Sequence, residues 1–208
     1  SILIRSAPVP TATPCARVSP TLPLRPRNRL AGMILAALHD GQAREALAAL
    51  AGASETDVAR DWLDAGECGH AGALRERARR AREALAALPL GSGGGSLAEA
   101  LAEAATLYDA GLYFEVHELL EPWWREARGE TREALQGLVQ VAVGYQHLAN
   151  GNTRGARALL EEGSTRLHGR ALDGLSLDAF AREVARSIER FADFDWNLIP
   201  RFPRRGKD

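Results

Sequence analysis

The chain has 208 residues, 46% of them hydrophobic and 25% charged, with a formal net charge of -1 and a pI near 6.5. This composition can bury a core and excludes a wholly disordered chain, while the balanced charge gives no global electrostatic case for nucleic acid or an anionic membrane. No stretch approaches 18 uncharged apolar residues, so no membrane-spanning helix is expected; two cysteines, Cys15 and Cys68, are too few for a disulfide framework and fit a cytoplasmic protein.

Residues 1–27 hold six of the ten prolines, four arginines and no acid. That predicts a disordered leader without helix. Met33 is the only methionine, which leaves open whether residues 1–32 belong to the natural protein. Over residues 28–88 apolar residues recur every three to four positions among strong helix formers, predicting a small helical unit. Met33, Ala37 and Leu38 precede an Asp40-Gly41 turn, and Ala43, Leu47 and Leu50 follow it. Ser54 and Asp57 open a helix carrying Val58, Trp62 and Leu63, and an arginine-rich helix runs from about Ala71 to Leu88, where Pro89 ends it. Residues 89–96 are mostly Gly and Ser, the composition of a flexible linker, and mark a domain boundary.

Residues 97–195 predict an antiparallel bundle of about five helices, so the fold class is all-α. Ser96 with Glu99 forms a capping box, and Gly111, Gly129, Gly151 and Gly169 punctuate the helices that follow. The third of these, from Thr131 to Ala149, is apolar around much of its circumference and belongs in the middle. Ser176 is expected to cap the last helix, before an aromatic and proline-containing tail, residues 196–208. Arg75, Arg79 and Arg82, with Arg77 and Arg80 beside them and Glu76 and Glu83 interleaved, are expected to form a solvated face.

The segment from Phe114 to Trp124 carries the chemistry. At about 100° per residue, His117, Glu121 and Trp124 fall within a stripe about 60° wide, with Phe114 beside them. Large aromatics usually face the core, which would draw His117 and Glu121 inward and oblige both to find partners. Gln136, Gln140, Gly144 and His147 share one face of the central helix and are the nearest candidates. Pro122 sits inside the motif and deprives the Glu118 carbonyl of its helical donor. The expected pocket is therefore His117, Glu121, Trp124, Gln140 and His147.

An aromatic followed by His-x-x-x-Glu-x-x-Trp, then Gly-Leu-x-Gln-x-Ala ending in a His, then Gly-Asn-x-x-Gly-Ala, resembles a bacterial and archaeal helical family known as domain of unknown function 309. The residues carrying the resemblance are Phe114, His117, Glu118, Glu121 and Trp124, then Gly137, Leu138, Gln140, Ala142 and His147, then Gly151, Asn152, Gly155 and Ala156, within about residues 98–168. It implies an all-α fold and a role for the His117 stripe, and it implies no activity.

Two readings stand at this point. One is a helical binding or scaffold module in which His117, Glu121 and Trp124 form a structural polar network, closed by Gln140 or His147, with a homo-oligomer or protein partner. The other is a metal-assisted hydrolase or other metalloenzyme in which His117, Glu121 and His147 ligate zinc or iron and Glu118 is a candidate catalytic base. The metal reading requires His117 and His147 to approach within about 8 Å, since each metal-nitrogen bond is only about 2 Å.

Overall fold

A computed structural model describes residues 21–91 and 95–205. The expectations for residues 1–20, Cys15 among them, fall outside those residues. The chain is all-α, with α1 (Leu24–Ala36), α2 (Gly41–Gly52), α3 (Glu55–Trp62), α4 (Ala71–Ala86), α5 (Leu97–Asp109), α6 (Tyr113–Glu126), α7 (Gly129–Ala149), α8 (Thr153–Leu167) and α9 (Asp178–Glu189). One two-residue hairpin pairs β1 (Ala171–Leu172) with β2 (Leu175–Ser176) in antiparallel register.

The helix boundaries follow local chemistry. Asp40 accepts the Gln42 N–H, Ser54 the Asp57 N–H, Ser96 the Glu99 N–H and Asn152 the Gly155 N–H, each satisfying a donor that a helix start leaves free. Gly111 adopts φ of 72° in the turn between α5 and α6, a conformation that costs a residue with a Cβ. Two expectations are corrected. Helix α1 begins at Leu24, inside the supposed leader, because Pro23 is its N-cap and Pro26 lies in its first turn, where a missing N–H removes no intrahelical bond. Ser176 belongs to β2, and no side chain caps α9.

Helices α5 to α9 pack against their sequence neighbours through connections of two or three residues up to α8, as an antiparallel bundle requires. The closest pair is α7 and α8. A Cβ on Gly144 would lie 2.7 Å from Leu160, and one on Gly163 would lie 3.0 Å from the Gly137 carbonyl oxygen, so glycines set the approach.

The N-terminal helices do not stand apart from this bundle. Leu30, Ile34, Leu74 and Leu85 belong to the same buried cluster as Leu107, Val116, Leu138 and Val184. Arg44 of α2 donates to the carbonyl oxygens of Ala37, Leu88 and Pro89, holding the ends of α1 and α4 together. The Gly91 N–H donates to the Leu38 carbonyl at 2.9 Å, so the start of the Gly/Ser stretch is fastened to the α1 end. The C-terminal tail also returns to the core. Phe202 is buried against Tyr108 and Phe180, and its N–H donates to Asp109.

Candidate functional site on helix α6

Helix α6 presents two faces of opposite character. On its outer side His117, Glu118 and Glu121 each offer a ligand atom, and these atoms lie within 4.8 Å of one another. All three side chains are half-exposed, at 30%, 38% and 29%. His117 Nδ1 and Glu118 Oε1 are 3.0 Å apart. A carboxylate can only accept, so a hydrogen bond here is donated by Nδ1, and the neutral tautomer that makes it carries its lone pair on Nε2. Phe114 stacks on the imidazole at 6.2 Å between ring centroids, with 24° between planes. Glu121 pairs with Arg125 at 2.7 Å, one helical turn on.

The aromatics of the motif are half-buried: Trp124 packs against the core, and arginines cover the Phe114 and Trp124 rings. The Arg27 guanidinium lies 4.2 Å from the Phe114 centroid and that of Arg132 lies 4.2 Å from the Trp124 ring. Arg132 also donates to the Trp124 carbonyl, whereas the buried Trp124 indole N–H has no hydrogen-bond partner among the described residues. His117 and Glu121 are not drawn into the core. Pro122 lies within α6, and the helix runs on to Glu126.

The inner face of α6 holds the charge that sequence reasoning missed. The Glu115 side chain is fully buried and takes two hydrogen bonds from Arg77 of α4, at 2.9 Å from Nε and 2.6 Å from Nη2. Burial opposes the Arg77 charge, but the Glu115 carboxylate overrides it and raises the arginine's pKa above its ordinary value. Beside this pair Arg27, Arg77 and Arg80 line a cavity of about 30 Å³ with Gln146 and Asn150, room for about one water.

Gln140, Gly144 and His147 of the α7 polar stripe turn toward α8. Gln140 is buried and faces α8, where it packs on Gly163, its side chain bonds Glu162 and thereby lowers the Glu162 pKa, and its own Oε1 has no donor among the described residues. Gly144 packs on Leu160 and Ala156 of α8. His147 Nδ1 lies 2.9 Å from the Asn152 side-chain nitrogen, at the α8 start. Among the described residues, His147 belongs to neither group of three ligand atoms within 4.8 Å. The structure therefore brings His117, Glu118 and Glu121 together and turns Gln140 and His147 toward the neighbouring helix.

The fold and site define an all-α module with an outward-facing His-Glu-Glu cluster on its second bundle helix. Over residues 101–159, from α5 into α8, the chain matches the family described as Domain of unknown function (DUF309). A Bacillus subtilis (strain 168) protein named Uncharacterized protein YpuF is 38% identical over 96 residues, covering 42% of this chain. The chain spans about half the length of that curated relative, 55%. No solved structure matches the chain. No described helix is long and apolar enough to cross a membrane.

Proposed function

We propose that the protein is a helical binding module whose working face is the outer side of α6, where His117 Nε2 and the Glu121 carboxylate take a divalent transition-metal ion. The observation that carries this reading is the hydrogen bond between His117 Nδ1 and Glu118, 3.0 Å long, on an imidazole already stacked against Phe114. An imidazole whose second nitrogen is held by a carboxylate is the arrangement that orients a metal-binding histidine and makes it more basic. Residues 117 and 121 are one turn apart on a helix, so their side chains are neighbours. An imidazole and a carboxylate suit zinc or iron better than calcium or magnesium, which favour oxygen alone. The exposed Glu121–Arg125 pair offers little resistance, since surface ion pairs contribute about 0–1 kcal/mol.

Two protein donors leave coordination positions for water or for a partner's group, which suits binding and scaffolding. Assembly with a second copy or a protein partner belongs to this reading, supported by the half-exposed Phe114, Trp123 and Trp124 along α6. Placement in the cytoplasm is part of it too, supported by the cysteine usage.

Calorimetric titration of the tag-free protein with zinc chloride tests the assignment. His117→Ala should abolish binding at this site, and Glu118→Gln should weaken it about 10–100-fold. Because His117 is half-exposed, its removal should leave the denaturation midpoint nearly unchanged. Zinc affinity unaffected by His117→Ala would overturn the reading. So would loss of several kcal/mol of stability in that variant with no zinc binding by the parent protein, since it would make the cluster a structural network.

A further inference from the structure

A second group of donors lies away from α6, where the N-terminal helices meet the bundle. His39 sits in the turn after α1, and Glu99 and Glu103 are one turn apart on α5; one ligand atom from each lies within 4.8 Å of the other two. His39 Nε2 is 3.4 Å from Glu103 Oε1. Glu103 is buried, with 11% of its side chain exposed, and His39 keeps 32%. Burial raises the Glu103 carboxyl above the usual range, the His39 imidazole opposes that shift, and Glu99 adds to it.

The backbone closes on this group as well. The Gly91 N–H donates to the Leu38 carbonyl, and a Cβ at Gly91 would fall 2.4 Å from His39 Nδ1 and 3.1 Å from Glu103 Oε1. A side chain at position 91 would have to displace the His39 ring. Three donors from two separate elements thus converge beside this backbone segment.

We infer that His39, Glu99 and Glu103 form a second divalent-metal site, which takes a zinc-like ion and braces the α1–α2 corner against α5. One nitrogen and two carboxylate oxygens are a donor set used for zinc, iron and manganese, with positions left for water. Glu99 falls outside the family match, which begins at residue 101, as does His39, so the brace joins a flanking helix to the matched bundle. The inference is independent of the α6 reading, because the two sites share no residue.

The experiment uses the full chain without an affinity tag, stripped with a chelator and titrated with zinc chloride, while calorimetry counts sites and thermal denaturation reads the brace. The parent protein should bind zinc at two sites and gain several degrees of Tm in excess zinc, since an ion that binds only the folded state stabilises it. His39→Ala and Glu99→Gln should each remove one site, at least tenfold in affinity, along with most of the Tm gain. His117→Ala should keep that gain. Glu103 is buried and its loss could disturb folding, so the two more exposed positions carry the test, with circular dichroism confirming a native fold. Zinc affinity and Tm gain that survive both His39→Ala and Glu99→Gln would overturn the inference, as would a parent protein whose Tm does not rise with zinc.

Discussion

Arg77 and Glu115 illustrate how a charge becomes structural. Both oxygens of a fully buried carboxylate are taken by one guanidinium, and the pair joins α4 to α6. Removing one partner strands the other charge away from water, so Arg77→Ala should destabilise the protein by about 3–5 kcal/mol in urea denaturation, whereas the double variant Arg77→Met with Glu115→Leu should recover most of that loss. A double variant no more stable than the single one would show that the pair holds more than its own charge. The pair was legible in part. Arg77 is three residues after Leu74 and four before Ala81, at the edge of the buried stripe of α4, yet its place among the neighbouring arginines suggested a solvated face. Phe114 and Trp124 misled in the opposite direction, because arginine stacking lets an aromatic stay half-exposed. Trp124 packs on the core while His117 and Glu121, on the same stripe, stay half-exposed.

At the level of elements, the caps at Ser54 and Ser96 and the glycine turns could be read from sequence because their causes are local. The destination of the α7 polar stripe could not. Helical spacing tells which side chains share a face, but the tertiary packing decides which neighbour that face meets. Here the glycines decide: Gly137 and Gly144 on α7 and Gly163 on α8 let those two helices approach closely, and Gln140, lying between them, turns toward α8. Gly163→Ala would push a methyl to 2.9 Å from Val141 and 3.0 Å from a backbone oxygen that cannot swing away. It should cost about 1–3 kcal/mol in a denaturant titration. An unchanged midpoint would mean the α7–α8 contact is looser than described.

Across the whole molecule, the linker composition marked a change of segment, while the apolar stripes of both halves feed one core. That outcome was hidden because composition reports backbone freedom and not whether two apolar faces will meet. All three tyrosines, Tyr108, Tyr113 and Tyr145, lie in this core, and burial raises each pKa above the ordinary value near 10. The folded state therefore holds these protons longer than the unfolded chain does. Their contribution is fully present below about pH 10 and is lost as pH rises above it. Tyrosinate absorbance should appear together with loss of helical circular dichroism, and tyrosines that ionise near pH 10 while the helices persist would contradict the burial.

The most direct test of the binding face is anomalous diffraction at the zinc edge from crystals of the tag-free protein grown with zinc. The account predicts a peak on the outer side of α6, about 2.0–2.2 Å from His117 Nε2 and from a Glu121 carboxylate oxygen, with Glu118 still bonded to Nδ1. Zinc density bound by His147, or an α6 face without zinc while His117 and Glu121 keep their present partners, would contradict it.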